Sequence, residues 1–230
     1  MRVLVVVTLM SLLVLSACTT TDARVAARAS ELRAQAARVL VVFPDVQLGL
    51  LTANGLVEPR EDWSQQSATN LAFGLRTALA ERAHEHAVLD ARTSMSGRVG
   101  QVLRLNSAVG QSIGMFEYGP YKLPSKSGQF DWTVGDGART LAESQSSEYA
   151  LFVGGRGSFT SDGRMALAVG AALLGVSIPV GSQQVSLSLV ELKSGRVLWI
   201  NLANAGNSAD IRTAEGARSI IDDLLEGAPL

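Results

Sequence analysis

The first 17 residues constrain the chain most. One positive charge, Arg2, is followed by an almost uninterrupted apolar run from Val3 to Leu15. This is the layout of a secretory signal peptide. The run is shorter than the roughly 20 apolar residues of a permanent transmembrane helix, and it ends in small residues instead of a basic stop signal. We therefore expect residues 1–17 to be removed.

The residues that follow the run, Leu15-Ser16-Ala17-Cys18, resemble the lipobox of bacterial lipoproteins at every position. The resemblance implies that the thiol of Cys18 receives a diacylglyceryl group, that cleavage occurs before Cys18, and that an acyl chain such as palmitate is added to the new amino terminus. Several acyl chains, each contributing about 0.8 kcal/mol per buried CH₂, would hold the protein stably on a membrane. Cys18 is thus the predicted lipidation site.

The alternative is that Cys18 is an ordinary residue at the end of a conventional signal. Cys18 is the only cysteine of the chain, so no disulfide can use it. Thr19 follows it, where an Asp would resemble an inner-membrane retention signal. We therefore expect a protein of the cell envelope, anchored in the outer membrane and facing the periplasm.

Composition excludes some partners. The chain has 20 Lys and Arg against 21 Asp and Glu, so removal of Arg2 with the signal leaves a net charge of −2. A nucleic-acid-binding protein would show a clustered basic face, and none is visible. We expect no nucleic-acid partner. Residues 39–230 suffice for a single domain with its own core.

Apolar spacing predicts the elements of this domain. From Asp22 to Arg38 the chain is rich in Ala and Arg, with an apolar residue every three or four positions, which predicts a tether helix there; the lipidated tether with this helix spans residues 18–38. Packing on the domain is favoured over a two-heptad coiled coil, because Ala at most stripe positions buries little surface. Strands are predicted at Leu40–Phe43, Ala87–Leu89, Tyr149–Val153, Val185–Leu189 and Val197–Ile200, the last two joined by a turn at Lys193–Arg196. A helix is predicted after a cap at Ser64 or Ser67, and its inward-facing residues are Ala68, Leu71, Leu75, Ala78 and Leu79. Further helices are predicted at Arg98–Met115, from Thr133 to Ala142, and from Thr213 to Gly227.

The order of these elements predicts the fold class. Strands and helices alternate first, and a run of strands and a final helix follow. This order predicts an α/β fold, a mixed sheet of about five strands with helices packed on it, behind the lipidated tether helix.

Three segments carry a resemblance to known envelope proteins. Arg38–Val42 is an opening strand after the anchor, Ser147–Val153 a middle strand, and Leu189–Trp199 a hairpin. Together they resemble the group of the curli-export lipoprotein, the lipoprotein activators of penicillin-binding proteins and the amino-terminal domain of TolB. The resemblance implies a non-enzymatic domain that docks onto, regulates or builds an envelope machine. No site residue of that group transfers to this chain.

Ser112 stands in a pattern of hydrolases. Gly110–Gly114 matches G-x-S-x-G, the nucleophile elbow of α/β-hydrolases. That fold places its histidine after the serine, whereas the only histidines here, His84 and His86, precede it. The segment before Ser112 also reads as a helix, where the elbow needs a strand. We expect no catalysis by Ser112.

Two other motifs could bind a metal or a phosphate, but a structural role is favoured for each. His84 and His86 could offer two imidazoles to a metal from one face of a strand, but the sequence indicates no third ligand. The favoured interpretation is that both residues belong to the polar end of a helix. Gly154–Ser158 follows a strand as phosphate loops do, yet it lacks the Lys-Ser/Thr ending. We expect a strand end with a bulge there. No cofactor and no metal is predicted.

Residues 165–181 carry no charge and lie between two strands. They are too short and too interrupted by Gly and Pro for a transmembrane helix. A buried connection or core helix is the favoured interpretation. The alternative is a surface that faces membrane or partner, as the membrane-inserting hairpin of the curli exporter does.

The leading functional hypothesis is a non-catalytic accessory or assembly lipoprotein that binds an envelope protein complex through residues 117–132, a long loop with aromatic side chains, and residues 165–181. A first alternative is an envelope hydrolase that uses Ser112 or a metal near His84 and His86. A second is a subunit of an oligomeric outer-membrane export pore.

Overall fold

The structure, a computed structural model, describes residues 19–27, 29, 38–93, 95–126, 128–205 and 209–230. It shows one mixed sheet covered by helices, so the predicted α/β class is confirmed, but the sheet has eight strands where about five were expected. Cys18, the signal segment and most of the predicted tether helix lie outside the described residues. The strands are β1 (Thr20–Val25), β2 (Val39–Val42), β3 (Asp45–Leu51), β4 (Val57–Pro59), β5 (His86–Leu89), β6 (Tyr149–Thr160), β7 (Gln183–Glu191) and β8 (Val197–Ala205). The helices are α1 (Glu61–Glu81), α2 (Gly97–Ile113), α3 (Arg139–Gln145), α4 (Asp162–Leu173) and α5 (Ala214–Leu225).

Strand β6 is the axis of the sheet. The strand order is β1-β8-β7-β6-β2-β5, and β3 pairs with the second half of β6 and with β4. Strands β2 and β3 both run parallel to β6, whereas β7 runs antiparallel to it. Val41 lies opposite Leu151 and Asp45 opposite Gly154, so one extra residue is accommodated between β2 and β3, at Pro44 and its neighbours. Pro44 therefore divides two strands without ending their common alignment on β6.

The two faces of the sheet carry separate cores. Side chains alternate along β6, so Leu151 and Val153 join the core under α1 and α5, while Ala150 and Phe152 join the core under α2 and α3. In β8, Trp199 belongs to the first core and is fully buried. Because successive side chains of a strand point to opposite faces of the sheet, one strand contributes residues to both cores.

Helix α1 begins earlier than the sequence predicted. It starts at Glu61, so neither Ser64 nor Ser67 is its cap. The hydroxyl of Ser64 donates to the carbonyl of Arg60 (2.8 Å) and accepts from the amide of Leu48 (3.0 Å), which ties α1 to β3. The predicted inward residues Ala68, Leu71, Leu75, Ala78 and Leu79 are all buried, as expected.

Helix α5 follows the prediction closely. Its cap is Thr213, whose hydroxyl accepts from the amide of Gly216 at 3.0 Å. Arg218 of this helix donates to both carboxylate oxygens of Glu81 on α1, at 2.5 and 3.2 Å, and to Asp222 at 2.7 Å. An ion pair therefore joins the two helices of this face at their solvent edge.

The ion pair predicts an acid-dependent loss of stability. The hydrogen bond from Arg218 lowers the pKa of Glu81, so the contribution of the pair is present above the ordinary pKa of a Glu, about 4.3, and is lost as the pH falls through the lowered pKa. Glu81→Gln should lower the free energy of unfolding at pH 7, and the difference from wild type should shrink below about pH 4. Urea unfolding at both pH values measures this. Glu143→Gln, an exposed carboxylate on α3, is the control, and an equal effect of both variants would contradict the assignment.

Several predicted elements were wrong in type or extent. Residues 20–25, predicted to belong partly to the tether helix, form β1, because the edge of β8 offers backbone groups that pair with Thr20 through Val25. No strand was predicted between Phe43 and Ala87, but this segment contains β3 and β4. Gly154–Ser158 is neither a phosphate loop nor a bulge but the continuous middle of β6, paired on both sides. Thr133 does not cap α3, because it forms a bridge with Arg196.

Tyr118 fastens strand β1 to its neighbour β8, because its hydroxyl lies within reach of a carbonyl on each strand. The phenol of Tyr118 donates to the carbonyl of Asp22 at 2.8 Å, and the guanidinium of Arg24 lies 4.9 Å from the centre of its ring. Burial raises the pKa of Tyr118, so the phenol stays a donor throughout the physiological range. The contact joins an edge strand to the end of α2.

Removal of this hydroxyl should loosen β1 selectively. Tyr118→Phe loses a hydrogen bond of about 0.5–1.5 kcal/mol and keeps the ring under Arg24. We expect amide hydrogen exchange in residues 20–25 to accelerate by about two- to tenfold while that of β7 is unchanged. Tyr121→Phe, at an exposed tyrosine, serves as the control. Unchanged exchange in β1 would show that backbone pairing with β8 suffices.

Candidate interaction surface

Helix α4 and the chain that returns from it to β7 project from the sheet as an ordered segment. We call residues 162–182 the excursion. Ser161 caps α4 by accepting from the amide of Arg164 at 3.3 Å. The guanidinium of Arg164 donates twice to the carbonyl of Pro179, at 3.0 and 3.2 Å, so the start of the helix holds the returning chain. The amide of Gly181 donates to the hydroxyl of Thr160 at 2.7 Å. These contacts close the excursion at its base.

The excursion is apolar and exposed. No residue of α4 is buried, and Leu173 and Leu174 expose 84% and 83% of their surface. The expectation of a buried connection or core helix is therefore wrong, because α4 packs its small residues loosely and sends its large ones outward. We call this the α4 surface; its large exposed side chains are Met165, Leu167, Val169, Leu173, Leu174, Val176 and Val180. Contiguous apolar exposure of this kind marks a contact with another apolar surface.

The predicted contact loop at 117–132 is mostly exposed, but its aromatic side chains Tyr118, Phe130 and Trp132 pack against the second core. Trp132 is 8% exposed, and its indole donates to the carboxylate of Glu117 at 2.8 Å. Lys126 lies 4.6 Å from the centre of the indole and forms an ion pair with Asp131 at 2.8 Å. Tyr121, 66% exposed, is the aromatic side chain of this segment that remains accessible. The aromatic cluster was correctly noticed, but most of it serves the second core.

Ser112 lies on helix α2, as the sequence predicted. Its hydroxyl donates to the carbonyl of Ala108 at 2.9 Å, which is a local bond within the helix. A nucleophile elbow places its serine on a turn between a strand and a helix. The geometry of an elbow is therefore not present at Gly110–Gly114.

His84 lies in the connection between α1 and β5, and His86 is the first residue of β5. The imidazole of His86 lies 3.3 Å from the carbonyl of His84, and the amide of His84 donates to the carbonyl of Leu79 at 3.0 Å. Across the described ranges, no three His, Cys, Asp or Glu side chains are grouped as metal ligands would be. The expected polar helix end is therefore wrong, because the helix ends at Glu81 and His86 pairs with Val39 of β2.

A cleft of about 860 Å³ lies between α2 and the sheet, and sequence reasoning missed it. Its floor includes Gly154 and Arg156 of β6 and Ser186 of β7, which alternate with core residues. Arg156 is neutralised there by an ion pair with Asp45 at 2.9 Å. Small and polar residues at alternate positions of two adjacent strands were the available signal, but only the packing of α2 shows that they are left uncovered.

No helix within the described part of the chain combines the length and the hydropathy that a membrane crossing requires.

Comparison with known proteins finds similarities to solved structures, two of which are PelC dodecamers. No protein-family model matches the chain, and no curated protein matches it. PelC from Paraburkholderia phytofirmans, solved as a dodecamer, aligns with 14% identity over 92% of this chain and 96% of its own, with a TM-score of 0.39. A PelC variant with a leucine-to-methionine change, also a dodecamer from that organism, aligns with 16% identity over 92% and 97%, with a TM-score of 0.37. The resemblance to the group of the curli-export lipoprotein stays a prediction.

Because the α4 surface is exposed, we predict that the fold tolerates charged residues at its leucine positions. Leu173→Asp combined with Leu174→Asp should change the free energy of unfolding by no more than about 0.5 kcal/mol, because neither side chain packs in the fold. Leu75→Ala, at a fully buried leucine of α1, should cost about 2–5 kcal/mol. Urea unfolding of the mature chain compares them. A large loss with the two aspartates would mean that α4 is a core helix.

Proposed function

We propose that the chain is a lipoprotein of the bacterial cell envelope, anchored through Cys18 in the outer membrane and facing the periplasm. On this proposal it acts as a non-catalytic accessory or assembly factor that binds an envelope protein complex. The lipobox at residues 15–18 supports the anchor. The observation that carries the proposal is the α4 surface, an apolar area that a free-standing domain would be expected to cover.

The site chemistry supports contact in preference to catalysis. Ser112 bonds to the backbone of its own helix, and His84 and His86 lie on the connection after α1 and at the start of β5. The cleft beside α2 is lined by Arg156 already paired with Asp45. A hydrolase would depend on Ser112 or on the histidines, which makes the two classes separable by mutation.

A subunit of an oligomeric export pore is a second candidate. The α4 surface favours it as well, because an apolar area on every copy would suit self-association. This candidate requires stable rings that persist after mild detergent extraction. Dispersal to monomers in detergent would remove it.

The test is crosslinking in intact cells, followed by affinity capture and mass spectrometry. We expect the wild-type protein and the Ser112→Ala variant to recover the same envelope complex, and Cys18→Ala to lose it. The combined His84→Ala and His86→Ala variant should behave as wild type. Recovery of copies of the chain alone would favour the pore.

A folded Ser112→Ala or double-histidine variant that has lost cellular function would contradict the non-catalytic proposal. Circular dichroism and urea unfolding of each variant establish that it is folded. The matched variant Ser107→Ala, five residues earlier on α2, controls for effects on the helix itself.

A further inference from the structure

The start of β1 and the base of α4 lie at the same end of the sheet. Thr20 is paired with Asn204, Asn204 with Gln184, and Gln184 with Arg156, so the four form one row across the strands. The side-chain amide of Gln184 donates to the side-chain carbonyl of Asn204 at 2.8 Å. Strand β6 runs beyond this row into α4, and β7 begins beside it. The excursion therefore leaves and re-enters the sheet at the end where the mature chain would begin.

The distance from this end to the predicted anchor is short. Cys18 precedes Thr20 by two residues, and an extended chain spans at most about 7 Å over two residues. Strands β1 and β6 are separated by β8 and β7, which corresponds to about 15 Å across the sheet. A lipid on Cys18 would therefore bring a bilayer to the base of α4.

We propose that the α4 surface rests on the lipid bilayer to which the chain is attached. This inference depends on the lipid anchor of the proposed function, and it assigns the partner of the exposed surface. A bilayer fits because the chain carries no Asp, Glu, Lys, Arg or His from Met165 to Val190. No charged side chain of this stretch would have to lose its water on entering the acyl region.

The helix lies on the bilayer and does not cross it. Helix α4 has 12 residues, and an α-helix of that length measures about 18 Å, against a hydrocarbon core of about 30 Å. Arg164, at its start, is turned back onto the carbonyl of Pro179. The apolar side chains from Leu167 to Leu174 thus enter the boundary between headgroups and acyl chains.

The anchor and the surface act together. Once the lipid is inserted, α4 meets the same bilayer at a high effective concentration. Even a weak affinity of α4 for lipid therefore keeps it bound most of the time. The sheet then stands on the membrane, because β7 and β8 extend about 30 Å from this end to their turn. The turn at Lys193–Arg196 points away from the bilayer and toward periplasmic partners.

The experiment uses an introduced cysteine as the only free thiol, since lipidation blocks the thiol of Cys18. Leu173→Cys, at the end of α4, and Lys193→Cys, in the turn after β7, each carry an environment-sensitive fluorophore. The lipidated proteins are placed in vesicles of phosphatidylethanolamine and phosphatidylglycerol that contain brominated acyl chains. We expect the label at 173 to be quenched at least about twofold and the label at 193 to be unaffected.

A second arm tests the surface without the anchor. The Cys18→Ala chain labelled at 173 should bind concentrated vesicles weakly, and Ala168→Asp with Leu174→Asp should reduce that binding at least about tenfold. If the wild-type protein carries no lipid, the proposed function fails while this arm still decides whether α4 enters lipid.

Two results would overturn the inference. One is equal quenching at 173 and 193 in the lipidated protein. The other is a blue-shifted label at 173 without vesicles, accompanied by disulfide-linked pairs of a Leu174→Cys variant, which would assign the surface to a second copy of the chain.

Discussion

The pairing of β6 with three neighbours holds the molecule together. Its first half pairs with β2, its second half with β3, and its other edge with all of β7. Side chains of this one strand enter the cores on both faces. Gly154, Gly155 and Gly157 permit the close approach, because a Cβ on Gly157 would lie 2.7 Å from the carbonyl of Ser182. A larger residue there would separate β6 from β7 and open both cores.

The same strand determines where function can lie. Strand β6 extends past the region that α2 covers, and this leaves a cleft on one face of the sheet. At its end, β6 leads into α4. Antiparallel pairing through β7 and β8 brings the start of β1 to that end. The start of β1, which the proposed anchor would precede, and the apolar helix after β6 are distant in sequence, and the sheet makes them neighbours. The proposed orientation on a membrane follows from this topology.

Sequence reasoning recovered the elements whose signals are local. Thr213 and the apolar stripe of α5 specify a helix without help from the rest of the chain, and the alternation of β7 and β8 specifies a hairpin. It missed β1, because Asp22 to Val25 have helical spacing and become a strand only by pairing with β8. It also ended β6 at Val153, since glycines favour turns unless neighbours on both sides supply partners. The cleft and the exposure of α4 depend on packing between distant elements, which no local pattern records.

The lipid on Cys18 is the claim on which the proposed function and orientation both depend. Intact mass spectrometry of the protein purified from envelope membranes measures it directly. The account predicts a chain that begins at Cys18 and carries the added mass of a diacylglyceryl group, with or without an amide-linked acyl chain, and a Cys18→Ala variant without that mass. A free thiol at Cys18 in an unmodified chain recovered from the envelope would contradict it.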